Sequence, residues 1–361
     1  MATNDKAGAL HIIAKETLTP KHEIAIEKCE PGMQIAETIH NEQGVVIIIE
    51  KTVLSLSSIQ RLENLGYSKV KIFAPVNKVE PTSSNYEFLY QSCLQNINDI
   101  YDTIQSGKKL KAELISSAAN AVCDSAVNGS DFFQQTYRLI PSTGALQIHC
   151  LNTAMLAAYL HNWMKIGPDL LHLVVQSALL HDIGKIKISE KYHYESSTYT
   201  EQEKKLWQIH PRLGWEMVSK VAGIPSRVAT IVDMHHERDD GTGFPMKLKR
   251  SSIDPLARII SVASRFDNLT TGTNQTRSVS PFVAFAIMEE DAHSGINVEE
   301  TLCFLSQVPG YYVGDRFFLS NGEIGEVLYI NQHNISRPLV KAGNSFIDLS
   351  LENNIHISGM V

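Results

Sequence analysis

The chain has 361 residues, 43% of them hydrophobic and 20% charged, with a formal net charge of -7. That length allows two or three domains and a sizeable core, and the composition is that of a soluble globular protein rather than a disordered or membrane one. The negative charge argues against a general coat for polymeric nucleic acid; five scattered cysteines with no CxxC pair suggest neither a zinc ribbon nor a disulfide framework and fit a reducing cytosol.

Residues 1–21 read as a tail. Neither it nor any later segment approaches the roughly 18 uninterrupted apolar residues of a spanning helix, so a cytoplasmic protein with no membrane partner is expected. Residues 22–75 carry β-branched runs broken at Pro31-Gly32 and Gly44, a helix capped by Ser57 with Ile59, Leu62 and Leu65 at helical spacing, a stop at Gly66 and a strand over Lys69 to Phe73. A small α+β regulatory module is expected there. Residues 76–85, "VNKVEPTSSN", read as a linker.

From residue 86 to 305 the periodicity is helical: Leu89, Cys93 and Ile97, then Leu151, Met155 and Leu156, then Leu170, Leu173, Val174, Ser177 and Leu180. Past Pro309-Gly310, strand runs alternate with turns at Asn321-Gly322, Asn331 to Asn334 and Gly343-Asn344, so residues 306–361 are expected to form a β-rich appendage. The fold class expected is mainly α: a helical bundle with a small α+β module before it and strands after it.

Histidines cluster in the helical stretch. His149 opens an apolar helix, "LLHDIGK" supplies His181, Asp182 and Lys185, His210 sits in "IHPRLGW", and His235 and His236 open "HHERDDGTGFP". His161, His172 and His193 are read as ordinary core or surface residues. On a helix, adjacent side chains point about 100° apart, so His-Asp and His-His dyads suit a pair of ions better than one. A carboxylate bridges two cations, and neutral imidazoles supply terminal ligands.

"HDIGK" followed by "HHERDDGTGFP" resembles the HD-GYP family of metal-dependent phosphodiesterases, whose second signature reads HHExxDGxGYP. His235, His236, Glu237, Asp240, Gly241, Gly243 and Pro245 match it, and Phe244 stands where tyrosine is usual. The resemblance covers about residues 85 to 305 and implies an HD-type bundle that hydrolyses a cyclic dinucleotide, above all cyclic di-GMP, through a dinuclear centre and a metal-activated hydroxide. His149, His181, Asp182, His210, His235 and His236 would hold two divalent ions (iron, manganese, nickel or zinc), with Asp182 bridging. Lys185 would address the scissile phosphate or the departing oxygen. Gly243 and Phe244 would border the substrate, Gly241 would permit the turn, and Glu237 and Asp240 would orient imidazoles or fix the loop.

The family's next helix reads VADxYDALTSxRPYR; here it is "VASRFDNLTTGTNQT", followed by Arg277. Ser264 replaces an aspartate that is a metal ligand in the family. Asp267 matches a second aspartate, usually structural, that a small helix rotation would bring toward the gap. Thr273 and Thr276 stand where basic residues meet substrate phosphates, leaving Arg277 as a displaced substitute. Ala145 stands where members with three metals have glutamate, so a third ion is not expected. These departures open an alternative: a degenerate domain that binds a nucleotide or a signalling partner protein with little turnover. A homodimer is left open.

Overall fold

In this computed structural model the described residues are 21–29, 33, 35–40, 46–48, 52, 54, 58, 59, 62, 63, 65–73, 83–125, 132, 133, 146–196, 198–271 and 278–361. Tail residues 1–20, linker residues 76–82, Pro31, Gly32, Gly44 and the expected cap Ser57 lie outside them. The chain divides into two compact units, residues 1–81 and 82–361.

In the first unit, β1 (Lys21–Ala25) pairs antiparallel with β4 (Lys69–Phe73), and β2 (Ile39–His40) with β3 (Val46–Ile48). β4 alternates as a half-buried strand should, with Val70 and Ile72 inward and Lys69 and Lys71 outward. Ser58, Ile59, Leu62 and Glu63 are helical. That helix ends in a Schellman turn: Gly66 N–H bonds Glu63 O at 2.9 Å and Tyr67 N–H bonds Leu62 O at 3.0 Å, with Gly66 at φ 81. Ile26, Ile35, Leu54, Leu62, Val70 and Ile72 form its core.

The second unit is mainly helical: α1 (Ser83–Gln105), α2 (Ala112–Ser125), α3 (Leu146–Trp163), α4 (Leu171–Leu180), α5 (Glu201–Gln208), α6 (His210–Val218), α7 (Ser226–Met234), α8 (Pro255–Thr271), α9 (Pro281–His293) and α10 (Val298–Gln307). The middle one, α3, is buried on every face from Ile148 to His161, as a helix apolar all round must be; α4 and α8 pack against it. No helix among the described residues is long and apolar enough to cross a membrane.

Five strands complete the unit: β5 (Arg316–Leu319), β6 (Ile324–Tyr329), β7 (Leu339–Ala342), β8 (Ser345–Asp348) and β9 (Ile357–Met360), ordered β8-β7-β6-β5-β9 and antiparallel throughout. Asn321-Gly322 and Gly343-Asn344 sit in the hairpin turns, with Gly322 at φ 89 and Gly343 at φ 56. The sheet is not a separate body. Phe317 is fully buried edge-on to Phe282 of α9, ring centroids 5.2 Å apart, inside the core that the helices share.

Phe317→Ala should therefore cost about 3–5 kcal/mol. Because sheet and helices share that core, far-ultraviolet circular dichroism of the variant should show the helices melting earlier together with the strands. An unchanged helical transition would mean that the two melt independently.

Candidate metal centre

His181 follows α4 directly, and the turn Ile183–Lys187 then doubles the chain back. Gly184 makes this turn possible. A Cβ there would lie 2.0 Å from His210 O and 2.5 Å from Gly214 N, so only glycine lets α6 close on the turn. Gly214 meets it under a similar limit, its Cβ position 2.8 Å from Val232 Cγ1. Upstream, Thr200 and Glu203 form a capping box that starts α5; α6 then begins at His210, and α7 ends just before His235.

Three histidines are fastened identically. The Nδ1 atoms of His181, His210 and His235 lie 2.6, 2.7 and 2.7 Å from the carbonyl oxygens of Ala178, Trp207 and Val232, each three residues back. A carbonyl only accepts, so each Nδ1 carries the proton and each Nε2 presents a lone pair. His149 is held differently: its Nδ1 is 2.7 Å from Asp267 Oδ2. Its Nε2 points at His181 Nε2, 3.2 Å away, while the Nε2 atoms of His210 and His235 are 3.4 Å apart.

Asp182 lies between these pairs, 1% exposed. Oδ1 is 3.1 Å from His210 Nε2 and 3.6 Å from His235 Nε2; Oδ2 is 3.5 Å from the Nε2 atoms of both His149 and His181. Lys185 Nζ reaches Oδ2 at 2.5 Å, whereas Oδ1 is buried without a hydrogen-bond donor. Burial alone would raise the Asp182 carboxyl, but Lys185 and His181 outweigh it and hold the group well below the usual carboxylate range. Burial pushes His181 and His236 well below the ordinary imidazole value and His210 down to about 4. An ionised carboxylate among neutral imidazoles, with lone pairs turned on one another, is a donor set that a cation satisfies and a proton network does not. Two groups of such atoms lie within 4.8 Å of one another: Asp182 with His210, His235 and His236, and Asp182 with His149 and His181.

The remaining sequence candidates divide. Asp267 lies on the far side of His149, and its Oδ1 accepts from Asn152 Nδ2 and Thr271 Oγ1 at 2.8 and 2.9 Å. Ser264 faces the centre, its Oγ 3.2 Å from His149 Nε2 and 3.3 Å from Asn268 Nδ2. Glu237, fully buried, accepts from Met246 N and Leu248 N at 2.6 and 2.7 Å, and Asp240 accepts from the backbone and hydroxyl of Thr242. Both therefore fix the loop. Gly243 lies against its own loop, where a Cβ would meet backbone at 2.5 Å. Phe244 stacks on His236, ring centroids 4.5 Å apart at 20°. Ala145, Thr273, Thr276 and Arg277 lie outside the described residues.

Several contributors carried no motif. Trp207 packs on both His236 and Phe244. Tyr90 donates to Asn152, which donates to Asp267, extending the support of His149; a lone amide three residues after His149 in an apolar helix was the available signal. A cavity of about 330 Å³ opens onto Asp182 and Lys185, within the usual range for ligand pockets. Lys204, Arg238 and Arg265 line it, and only their sign hinted at an anion.

Comparison with known proteins agrees with this geometry. Residues 129–298 match the HD domain family model. The chain is 28% identical over 205 residues to a cyclic di-GMP phosphodiesterase of Pseudomonas aeruginosa, covering 56% of this chain and 49% of that one. It is 22% identical over 253 residues to a cyclic di-GMP phosphodiesterase of Borreliella burgdorferi, covering 70% and 66%. Over 129 residues it is 33% identical to a 3'3'-cGAMP-specific phosphodiesterase of Vibrio cholerae, covering 36% and 27%. The chain thus spans about half the length of the Pseudomonas relative and less than two thirds of the other two. An HDG"Y"P protein from Bdellovibrio bacteriovorus shares the fold, with a TM-score of 0.54, 16% identity and coverage of 79% of this chain and 98% of that one.

Since Asp267 secures the proton on His149 Nδ1, Asp267→Asn should weaken metal binding about 10 to 100-fold at the His149 side and leave the Asp182–His210–His235–His236 group unchanged. Calorimetric metal titration reads this directly. An equal loss at both groups would contradict it.

Proposed function

We propose that the HD domain matched over residues 129–298 is of the HD-GYP kind and makes the chain a metal-dependent phosphodiesterase that hydrolyses a cyclic dinucleotide, cyclic di-GMP first among them. The observation that carries this reading is Asp182, with one oxygen toward His210 and His235 and the other toward His149 and His181. Two divalent ions, of iron, manganese, nickel or zinc, fit these donors. When bound, they would offset the phosphodiester's anionic charge and acidify a water near neutral pH.

The chain's own groups do the rest. The carbonyls of Ala178, Trp207 and Val232 keep the lone pairs of three imidazoles turned inward, and Asp267 does so for His149. Lys185, 4% exposed and 5.4 Å from the Tyr194 ring centroid, presents its ammonium to a phosphate oxygen once Asp182 is engaged elsewhere, and can protonate the departing oxygen. Hydrolysis adds water across one P–O ester bond: the oxygen goes to phosphorus and a proton to the leaving sugar oxygen. Lys204, Arg238 and Arg265 supply positive charge around the cavity, offsetting the absence of basic residues at Thr273 and Thr276. Phe244, stacked on His236, keeps an aromatic wall without a hydroxyl.

Ser264 favours a second reading, a nucleotide-binding module with little turnover. Its hydroxyl stands 3.2 Å from His149 Nε2, where it can donate to the lone pair that the cation would need; a neutral hydroxyl is also a poor ligand beside a carboxylate. The two readings differ in metal content and rate.

Metal-loaded protein incubated with cyclic di-GMP, with products separated by chromatography, should yield the linear dinucleotide or mononucleotides; metal-loaded protein that binds the nucleotide and leaves it intact would favour the module. Asp182→Asn should lose metal, whereas Lys185→Ala should keep it and lose rate, about 100-fold or more for a positioned acid. Equal metal content in both variants would remove the bridging role from Asp182. Ser264→Asp should raise metal affinity on the His149 side by more than about tenfold and raise turnover with it. If Ser264→Asp binds no more metal than the parent, Ser264 is not the weak point.

A further inference from the structure

Ser261, Ser264, Arg265 and Asn268 recur on α8 at spacings of three and four, so they share one helix face, and all four line the cavity that opens onto Asp182 and Lys185. Arg265 Nε donates to Asp291 Oδ2 of α9 at 2.9 Å. Among the described residues neither the terminal amino groups of Arg265 nor the second oxygen of Asp291 has a hydrogen-bond partner. Asn297, in the turn between α9 and α10, donates from Nδ2 to Ser261 Oγ at 3.0 Å. The residue is only 1% exposed, and its Oδ1 is buried without a donor. Asp291 and Asn297 line the same cavity.

An ion pair at a half-exposed helix junction contributes little by itself, and asparagine is common in left-handed turns. Neither fact accounts for the amide oxygen. Asn297 adopts φ 43 and ψ 50 at the start of α10, yet its side chain caps no backbone N–H there. A buried acceptor without a donor is costly, and Asn297 lines the same cavity as the Arg265–Asp291 pair, the cavity that opens onto Asp182 and Lys185.

We propose that Arg265, Asp291 and Asn297 form a purine-reading subsite that selects guanine over adenine; the inference rests on the cyclic dinucleotide reading above. Guanine presents N–H donors at N1 and N2, which suit Asp291 Oδ1 and Asn297 Oδ1, and acceptors at O6 and N7, which suit a guanidinium. Adenine carries an acceptor at N1, and its lone pair would face the carboxylate. A site built to accept an N–H discriminates strongly against a ligand that lacks it. Ser264 and Arg265 are consecutive, their Cα atoms about 3.8 Å apart, so the base would be read by the residue next to the one that faces the metal centre.

The test is calorimetric titration of the full chain, loaded with Mn2+, with cyclic di-GMP and with cyclic di-AMP, with turnover followed in the same samples. Wild-type protein should bind cyclic di-GMP more tightly by about tenfold or more, the worth of one hydrogen bond to a charged group. Asp291→Asn should shrink that ratio toward one with metal content unchanged, and Arg265→Lys should also reduce it because an ammonium cannot span O6 and N7. Equal affinity of the wild type for both nucleotides, or an unchanged ratio in both variants, would overturn the subsite. Selective binding without turnover would sink the hydrolytic reading and leave the subsite standing; failure to bind either nucleotide would sink both.

Discussion

A buried carboxylate, Asp182, faces four imidazole Nε2 atoms at distances from 3.1 to 3.6 Å, and three of those imidazoles have committed their proton to a backbone carbonyl. Burying a charge and several lone pairs together is expensive unless a positive partner joins them. Lys185 covers one oxygen of Asp182; the other has no donor. Cations would resolve this conflict, and much of the unit's local structure serves to maintain it.

That service is visible in backbone as much as in side chains. Each carbonyl three residues before His181, His210 or His235 belongs to the last turn of a helix, where a carbonyl oxygen keeps a lone pair to spare; the imidazole N–H takes it and becomes fixed. Gly184 and Gly214 let α6 approach the turn after α4 closely enough for His210 to meet Asp182. Glu237 spends both oxygens on the backbone of Met246 and Leu248, which holds the loop after His236 and keeps Phe244 stacked on that ring. On the opposite side the support of His149 runs through side chains alone, Asp267, Asn152 and Tyr90. That side also carries Ser264 and offers two imidazoles where the other offers three, so it is the weaker of the two, and in the reading proposed above turnover would depend on how firmly it held an ion.

The helical class and the terminal strands were legible because they rest on periodicity and turn chemistry: the stripe on α3, the stop at Gly66, the Asn321-Gly322 and Gly343-Asn344 hairpins. The convergence of His149, His181, Asp182, His210, His235 and His236 was legible because dyads of ligand-type residues so far apart have little other reason to recur. What sequence could not provide was direction. Whether Asp267 pointed into the centre or behind His149 depends on the rotation of α8 about its axis, which packing against α3 decides. Glu237 shows the same limit, since a carboxylate beside two histidines serves equally well to orient a ring or to bind backbone. Nor could sequence show that the strands after residue 306 share the helical core, because alternation marks the inward face of a strand without naming what lies beneath it. Arg265, Asp291 and Asn297 belong to three separate segments and no motif joins them.

Anomalous diffraction from crystals grown with Mn2+ tests the central claim most directly. The account predicts one strong peak within ligand distance of Asp182 Oδ1 and the Nε2 atoms of His210 and His235, and a second, weaker peak between Asp182 Oδ2 and the Nε2 atoms of His149 and His181. Anomalous density absent from both positions, with Asp182 still paired to Lys185 alone, would contradict it.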